Sequence, residues 1–223
     1  ANFGLGLRIH QLAHPGAYRA ITALFLLSPQ TPMLFQGQEF AASSPFVFFA
    51  DHDPALASKV KEGRFEFLNQ FPSLASPDMQ ARLADPTDPG TFESCRLDLS
   101  ERERHPEAYA LHRDLLSLRR NDPVIKAQRP GAVDGAVLAD DAFMLRFFGE
   151  DGNDRLLLVN LGVDCSLSPA PEPLLASPSG LTWQLLWSSE DPRYGGYGAV
   201  LTEDEMRWFL PGQAAFLLTA AKS

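Results

Sequence analysis

Residues 28–52 read SPQTPMLFQGQEFAASSPFVFFADH, and this stretch decides how the chain is read. Pro29 and Pro32 precede a short apolar run, Met33-Leu34-Phe35, which stops at Gly37. An apolar run that short, fenced by proline and glycine, predicts a strand buried on both faces. Gln36, Gln38 and Glu39 follow, then small residues and an aromatic cluster containing Phe46, Phe48 and Phe49. Polar groups crowded at the carboxyl end of a buried strand are where α/β barrels carry their chemistry. The same three residues could equally close the strand and face water. Spacing leaves both readings open.

Upstream, the glycine-containing start ANFGLGLR is too short for a nucleotide-binding fingerprint and follows no strand. His14-Pro15-Gly16 then leads into Ala17 to Leu27, where Tyr18, Ile21, Leu24, Phe25 and Leu27 leave almost no polar face. Such a helix is expected to be buried in a large fold. Helix, proline loop and strand make one αβ unit of a parallel sheet. Downstream, Asp51 or Asp53 can cap a helix with Pro54 at its first position. That helix runs to about Phe71, with Leu56, Val60, Phe67 and Leu68 predicted on its inner side. Residues 72–99 look irregular, and a segment of that length is expected to line a site or act as a tether. His105 to Arg120 reads as the clearest helix, with Ala108, Leu111, Leu115 and Leu118 on one face and Arg119 and Arg120 at its negative end.

From about residue 126 the period changes. Phe143–Phe148, Leu156–Leu161, Trp183–Trp187 and Ala214–Thr219 read as strands between turn clusters, which predicts an all-β sandwich. The expected organisation is therefore α/β plus all-β, with one part over residues 1–125 and a β-sandwich over 126–223. A lone αβ unit with one further helix cannot close a barrel, so a further portion of the same protein is expected beside it. In this chain alone the apolar faces of Tyr18 to Leu27 and Met33 to Phe35 would then be exposed, while the β region keeps its own core.

Composition narrows the function. The 223 residues are 45% hydrophobic and 21% charged with a net charge of −9, an ordinary globular balance. An acidic chain of interspersed charges lacks the basic face that nucleic acid requires, while a neutral sugar remains a suitable ligand. Cys95 and Cys165 have no metal-site spacing, and His10, His14, His105 and His112 pair with no cysteine or acid at ligand distance in sequence, so no metal or cofactor is expected. No apolar run is long enough to span a membrane, no membrane partner is expected, and the expected compartment is the cytoplasm. Trp183, Trp187 and Trp208 are expected to pack between sheets.

The segment from Thr31 to His52 resembles the eighth strand and following loop of the α-amylase superfamily of glycoside hydrolases, and within it the malto-oligosyltrehalose trehalohydrolase family. The residues that carry the likeness are Phe35-Gln36-Gly37-Gln38-Glu39-Phe40, Ser44-Pro45-Phe46, Phe49-Ala50-Asp51-His52 and Glu62-Gly63-Arg64. Thr91-Phe92, Arg96-Leu97-Asp98, Tyr109 to Leu116 and Ser188 to Gly196 extend it. The resemblance implies that residues 1–125 are the last helix-strand-helix part of a (β/α)8 TIM barrel. It implies retaining hydrolysis of the α-1,4 bond next to the terminal trehalose of malto-oligosyl trehalose. Such chemistry uses two carboxyl groups about 5–5.5 Å apart. In the family these lie on earlier barrel strands, so no catalytic residue is assigned here, and the chain is expected to need the amino-terminal part of the same enzyme. Asn2 and Arg8 match the family's substrate loop, whereas Phe3 and Leu7 depart from its polar pattern. The candidate substrate-binding residues are thus Asn2, Arg8, Gln36, Gln38, Glu39, Asp51 and His52. Asp51 and His52 could instead cap the following helix, and Phe46, Phe48 and Phe49 could stack on sugar or fill a core. The alternatives are a part of a glycogen-branching enzyme, whose sequences carry a similar FQGQEF motif, or a stand-alone carbohydrate-binding β module. The apolar helix from Tyr18 to Leu27 argues against the module.

Overall fold

The computed structural model describes residues 4–204 and 207–222. Helices are α1 (Ile9–Leu12), α2 (Pro15–Leu27), α3 (Pro54–Asn69), α4 (Pro77–Gln80), α5 (Pro89–Ser94), α6 (Glu101–Arg104) and α7 (Pro106–Asn121). Strands are β1 (Val133–Ala139), β2 (Ala142–Phe147), β3 (Arg155–Asn160), β4 (Cys165–Leu167), β5 (Thr182–Ser188), β6 (Thr202–Asp204), β7 (Arg207–Leu210) and β8 (Ala214–Ala221). The chain divides into two compact units, one of residues 1–12 with 36–104 and the other of residues 13–35 with 105–223.

The second unit is built in layers. Its larger sheet is antiparallel in the order β1-β2-β3-β8-β5, and its smaller sheet runs β4-β7-β6. The central strands β3 and β8 bury both of their faces. Leu157, Val159, Ala215 and Leu217 point into a cluster shared with Tyr18, Ala20, Leu26 and Leu27 of α2 and Leu111 and Leu115 of α7. Leu156, Leu158, Phe216 and Leu218 point the other way, into a cluster with Trp208 and Leu210 of β7. Two-sided burial explains why Leu156–Leu161 shows no alternation in the sequence. All three tryptophans are buried in strands, but only Trp183 and Trp208 pack between the sheets as expected; Trp187 faces the cluster that contains α2, α7 and Tyr194.

This corrects one expectation. The apolar face of α2 is covered within the chain, because the β sheet itself supplies the surface on which it packs. The helix starts at Pro15 behind His14, whose Nδ1 accepts a hydrogen bond from Gly16 N at 3.3 Å. Its far end is closed by Arg119 of α7, which donates to the Leu26, Ser28 and Gln30 carbonyls at 2.6–2.8 Å. The Leu26 and Ser28 carbonyls are among those a helix end leaves without internal partners, and Gln30 belongs to the loop that follows. The expected line at residue 125 follows the chain, whereas the compact units place α2 and α7 with the strands.

Two buried ion pairs join β strands to their surroundings. Arg155 Nε donates to Asp122 Oδ2 at 2.8 Å, while Asp122 Oδ1 accepts from Val124 N and Ile125 N. Arg146 donates to Asp154 at 2.8–2.9 Å and to the Leu174 and Ala176 carbonyls.

The first unit departs further from expectation. Met33-Leu34-Phe35, which precedes its larger segment in the chain and belongs to the second unit, forms no strand; among the described residues neither sheet includes it, and Met33 is 87% exposed. A strand exists only beside a ladder partner, and the antiparallel sheets of this chain offer it none. On α3 the predicted inner face is mostly outward: Leu68 is buried, but Leu56 and Phe67 are exposed. The irregular stretch 72–99 holds the short helices α4 and α5, started by Ser76 and Asp88 with prolines behind them.

Candidate functional site

The candidate residues gather on a tight turn in the first unit. Gly37 adopts a left-handed φ of +78°, which opens the 3-10 turn Gln38–Phe40, and Ala41 closes it at φ +50°. A side chain on Gly37 would stand 2.7 Å from Leu97 Cδ2 and 2.8 Å from Ala42 Cβ, so both torsion and space require glycine there. Two left-handed residues within five, one of them alanine, store backbone strain of the kind that concentrates at functional sites. Phe40 and Ala42 are fully buried and hold the turn down, leaving Gln36 exposed and Gln38 and Glu39 half-buried.

Arg8 fixes this turn from beneath. Its Nε donates to Ser44 O at 2.7 Å and its Nη1 to Gln36 O at 2.8 Å, so one side chain clamps the turn on both sides. Burial pulls the guanidinium below its usual pKa, and the nearby carboxylates of Glu101 and Glu39 push it back. Glu101, 4% exposed, accepts from Ser43 N at 2.9 Å and Ser43 Oγ at 2.5 Å. Glu39 Oε1 lies 3.8 Å from Arg102 Nη2, with its side chain 30% exposed. The Arg102 guanidinium also rests over the Phe40 ring, 5.4 Å from its centroid. A solvent-reachable carboxylate beside a cation, on a turn held by glycine geometry and by Arg8, can accept hydrogen bonds from a polar ligand.

Asp51 and His52 are exposed and sit just before α3, where Asp53 is the cap, accepting from Ala55 N and Leu56 N. No hydrogen bond or ion pair among the described residues links Asp51 or His52 to Glu39. Asn2 lies outside the described residues. The aromatic cluster is divided: Phe46 and Phe49 meet edge-on at 6.0 Å, Phe49 meets Phe92 at 5.1 Å, and Phe48 is exposed under Arg64. Sequence reasoning missed Glu101, the buried acid behind the turn. The run Glu101-Arg102-Glu103-Arg104 reads as a solvated surface, and only the fold turns one of its acids inward. Among the described residues no group of histidines, cysteines and acids could hold a metal ion, and no helix is long and apolar enough to cross a membrane.

Comparison with known proteins places these features. Residues 130–217 match a family described as a domain of unknown function, DUF3459. A malto-oligosyltrehalose trehalohydrolase of Deinococcus radiodurans is 40% identical over 166 residues, covering 73% of this chain and 26% of that protein. One from Arthrobacter ramosus is 40% identical over 126 residues, covering 55% of this chain and 21% of that protein. A Salmonella typhimurium protein provisionally described as an alpha amylase matches in fold with a TM-score of 0.72 at 25% identity, over 99% of this chain and 33% of that one. The chain thus spans about a quarter of the length of the curated relatives it matches. By sequence this chain is similar to a part of glycoside hydrolases named malto-oligosyltrehalose trehalohydrolase, and by fold to a part of a protein described as an alpha amylase.

Proposed function

We propose that this chain is part of a retaining glycosidase that hydrolyses the α-1,4-glucosidic bond next to the terminal trehalose of malto-oligosyl trehalose, releasing trehalose in the cytoplasm. The observation that carries the reading is the Gly37 turn, a strained and buried anchor that presents Glu39 to solvent opposite Arg102. Its residues Gln36, Gln38 and Glu39 belong to the segment that resembles the eighth-strand loop of the superfamily. In this reading the residues before 126 complete a (β/α)8 barrel whose remaining strands come from another portion of the same enzyme. Met33, 87% exposed, supports such a covering partner. Residues from 126 form a carboxyl-terminal β-sandwich.

The roles divide accordingly. The nucleophile and the acid, which retaining enzymes hold about 5–5.5 Å apart, come from the other portion. This chain supplies sugar contacts: Gln36 and Gln38 accept and donate hydrogen bonds to hydroxyls, Glu39 accepts them, and Asp51 and His52, both exposed, add further ones. Arg8 and Glu101 position the turn rather than meet the sugar. The 223-residue chain alone is therefore expected to release no trehalose from maltotriosyl-trehalose above background. Turnover by the purified chain would refute the reading. In the complete enzyme, Glu39→Gln keeps the shape and removes the charge, so catalytic efficiency should fall about 10–100-fold, the equivalent of about 1.5–3 kcal/mol. An unchanged efficiency with an unchanged melting temperature would remove Glu39 from the site.

A further inference from the structure

α6 touches the candidate turn twice, and the function proposed above gives a task only to the first contact. Glu101 is fixed to Ser43 N and Ser43 Oγ at 2.9 and 2.5 Å. Arg102, the next residue, turns its guanidinium toward Glu39, with Nη2 3.8 Å from Oε1. In sequence the residue disappears into the charged run Glu101-Arg102-Glu103-Arg104, where nothing separates one arginine from the other. The fold separates them: Arg104 pairs with Asp98 and Glu101, whereas Arg102 pairs with the carboxylate that faces solvent.

Arg102 is held ready. Its guanidinium lies over the fully buried Phe40 ring, 5.4 Å from the centroid, so the turn itself steadies it. Its side chain is 45% exposed and that of Glu39 30%, so a solute can reach both. At 3.8 Å the two groups are too far apart for a direct hydrogen bond, so their charges are matched without either group closing off the other. The other cation acting beside Glu39, Arg8, cannot take the same part, because it is buried and engages the Ser44 and Gln36 carbonyls. A half-exposed ion pair at this separation contributes little to stability, which makes a purely structural purpose a weak account of it.

The chemistry of the pair selects what it holds. A carboxylate accepts hydrogen bonds and a guanidinium donates them. Side by side, with no net charge, they suit a neutral ligand that offers a donor and an acceptor on adjacent atoms. An anion would meet its like charge at Glu39, and a cation at Arg102. Two neighbouring hydroxyls of a pyranose ring meet the requirement: one donates to Glu39, and the other accepts from Arg102. Both bonds are charge-assisted, which makes each about twice as strong as its neutral counterpart. We propose that Arg102 is a specificity-determining residue of this site and forms with Glu39 a clamp for one vicinal diol of the sugar. The proposal rests on the reading that this turn meets the substrate, and it adds the group that donates.

The test uses the complete enzyme and maltotriosyl-trehalose. Arg102→Met keeps an unbranched stem over Phe40 and removes every N–H. It should raise KM about five- to thirtyfold and leave kcat within about twofold, since a hydroxyl that takes no part in bond breaking is held alike in the ground and transition states. The melting temperature should stay at the wild-type value. Because one diol spans both groups, the double variant Glu39→Gln/Arg102→Met should lose less than the product of the two single losses. An unchanged KM in Arg102→Met, a loss explained by a fallen melting temperature, or losses that simply multiply would each overturn the clamp. If Glu39→Gln lowers kcat/KM while Arg102→Met does not, only the clamp falls. If neither variant lowers it, the function proposed for this turn falls with it.

Discussion

The two compact units differ in where their apolar side chains end up. In the β-rich unit, leucines of β3 and β8 alternate between two clusters, and α2 and α7 close one face of the sheet. In the unit of residues 1–12 and 36–104, full burial is confined to a few side chains such as Phe40, Ala42, Leu68, Leu74 and Cys95. Phe48, Leu56, Phe67, Phe71, Phe92 and Leu99 remain exposed there. That unit is held by polar clamps instead: Arg8 on two carbonyls, Glu101 on Ser43, and Asp85 on Lys61 and Thr87. Hydrophobic burial gives cooperative stability, whereas hydrogen bonds near water contribute little each. The turn that carries the candidate site thus belongs to the part of the chain with the smaller core, where opening is expected first.

The largest effect should come from breaking the better-packed unit. Arg155→Ala leaves Asp122 buried without its cation and should cost about 3–5 kcal/mol. All three tryptophans lie in that unit, so the midpoint of a urea titration followed by tryptophan fluorescence reads it directly. A shift below about 1 kcal/mol, the worth of a surface pair, would mean that the pair is not buried as described. Limited proteolysis gives the complementary reading: first cuts should fall between residues 36 and 104, leaving α2 protected with the strands.

Next in size is Gly37→Ala, which strains the turn in the other unit. The left-handed torsion alone should cost about 1–3 kcal/mol, and contact with Leu97 and Ala42 adds to it. Faster proteolysis and hydrogen exchange around residues 36–44, with the tryptophan midpoint unchanged, would establish that the units open separately. A parallel loss of the tryptophan midpoint would show that they are coupled.

Legibility in the sequence follows the same division. α2, α3 and α7 were readable because proline fixes each start, and apolar spacing fixed the inner faces of α2 and α7 but not that of α3. The central strands were readable because Leu156–Val159 and Ala214–Leu218 are uninterrupted apolar runs. β1, β4, β6 and β7 were not, since edge and short strands carry mixed residues whose pairing is decided by distant partners. Gln36, Gln38 and Glu39 were legible as a polar group on a glycine turn, but what holds the turn was not. Arg8 lies 28 residues from Gln36, and Glu101 lies 58 from Ser43. No local period connects such pairs. The same limit explains the Met33–Phe35 strand, predicted from its own composition although strands depend on neighbours.

pH offers a gentler way to separate the units, because each carries a shifted group of opposite kind. Hydrogen bonds from Lys61 and from the Thr87 backbone and hydroxyl lower Asp85 from 3.8 to about 2. Its stabilising effect is present above the unfolded value and is lost as pH falls from about 4 through about 2. Burial, with the hydrogen bond to Asp114 added, raises Tyr194 from 10.0 to about 12 against the opposing donation from Trp187. There the unfolded chain ionises first, so stability is intact below pH 10 and falls as pH rises from about 10 to about 12. Lowering the pH from about 4 towards about 2 should accordingly speed proteolysis of residues 36–104 before the tryptophan signal changes, and alkali should move the tryptophan midpoint. Asp85→Asn should flatten the first response only, and Tyr194→Phe the second only.

The smallest expected effect tests whether exposed aromatics on α3 contribute to the first unit at all. Phe67 is 52% exposed, meets Phe71 edge-on at 5.7 Å and lies under the Arg64 guanidinium at 5.6 Å. An aromatic pair and an exposed cation–π contact are each worth about 0.5–1.5 kcal/mol at most, and one ring in water loses part of that to solvation. Phe67→Ala should therefore cost no more than about 1 kcal/mol, well below the same truncation at a filled core position, which costs about 3–5 kcal/mol. If α3 stands on its aromatic face, hydrogen exchange along residues 54–69 will rise sharply in the variant, and the contrast between the units narrows. If exchange barely changes, Leu68 and the Asp53 cap hold the helix, and the aromatic face is surplus to the stability of the unit that carries it.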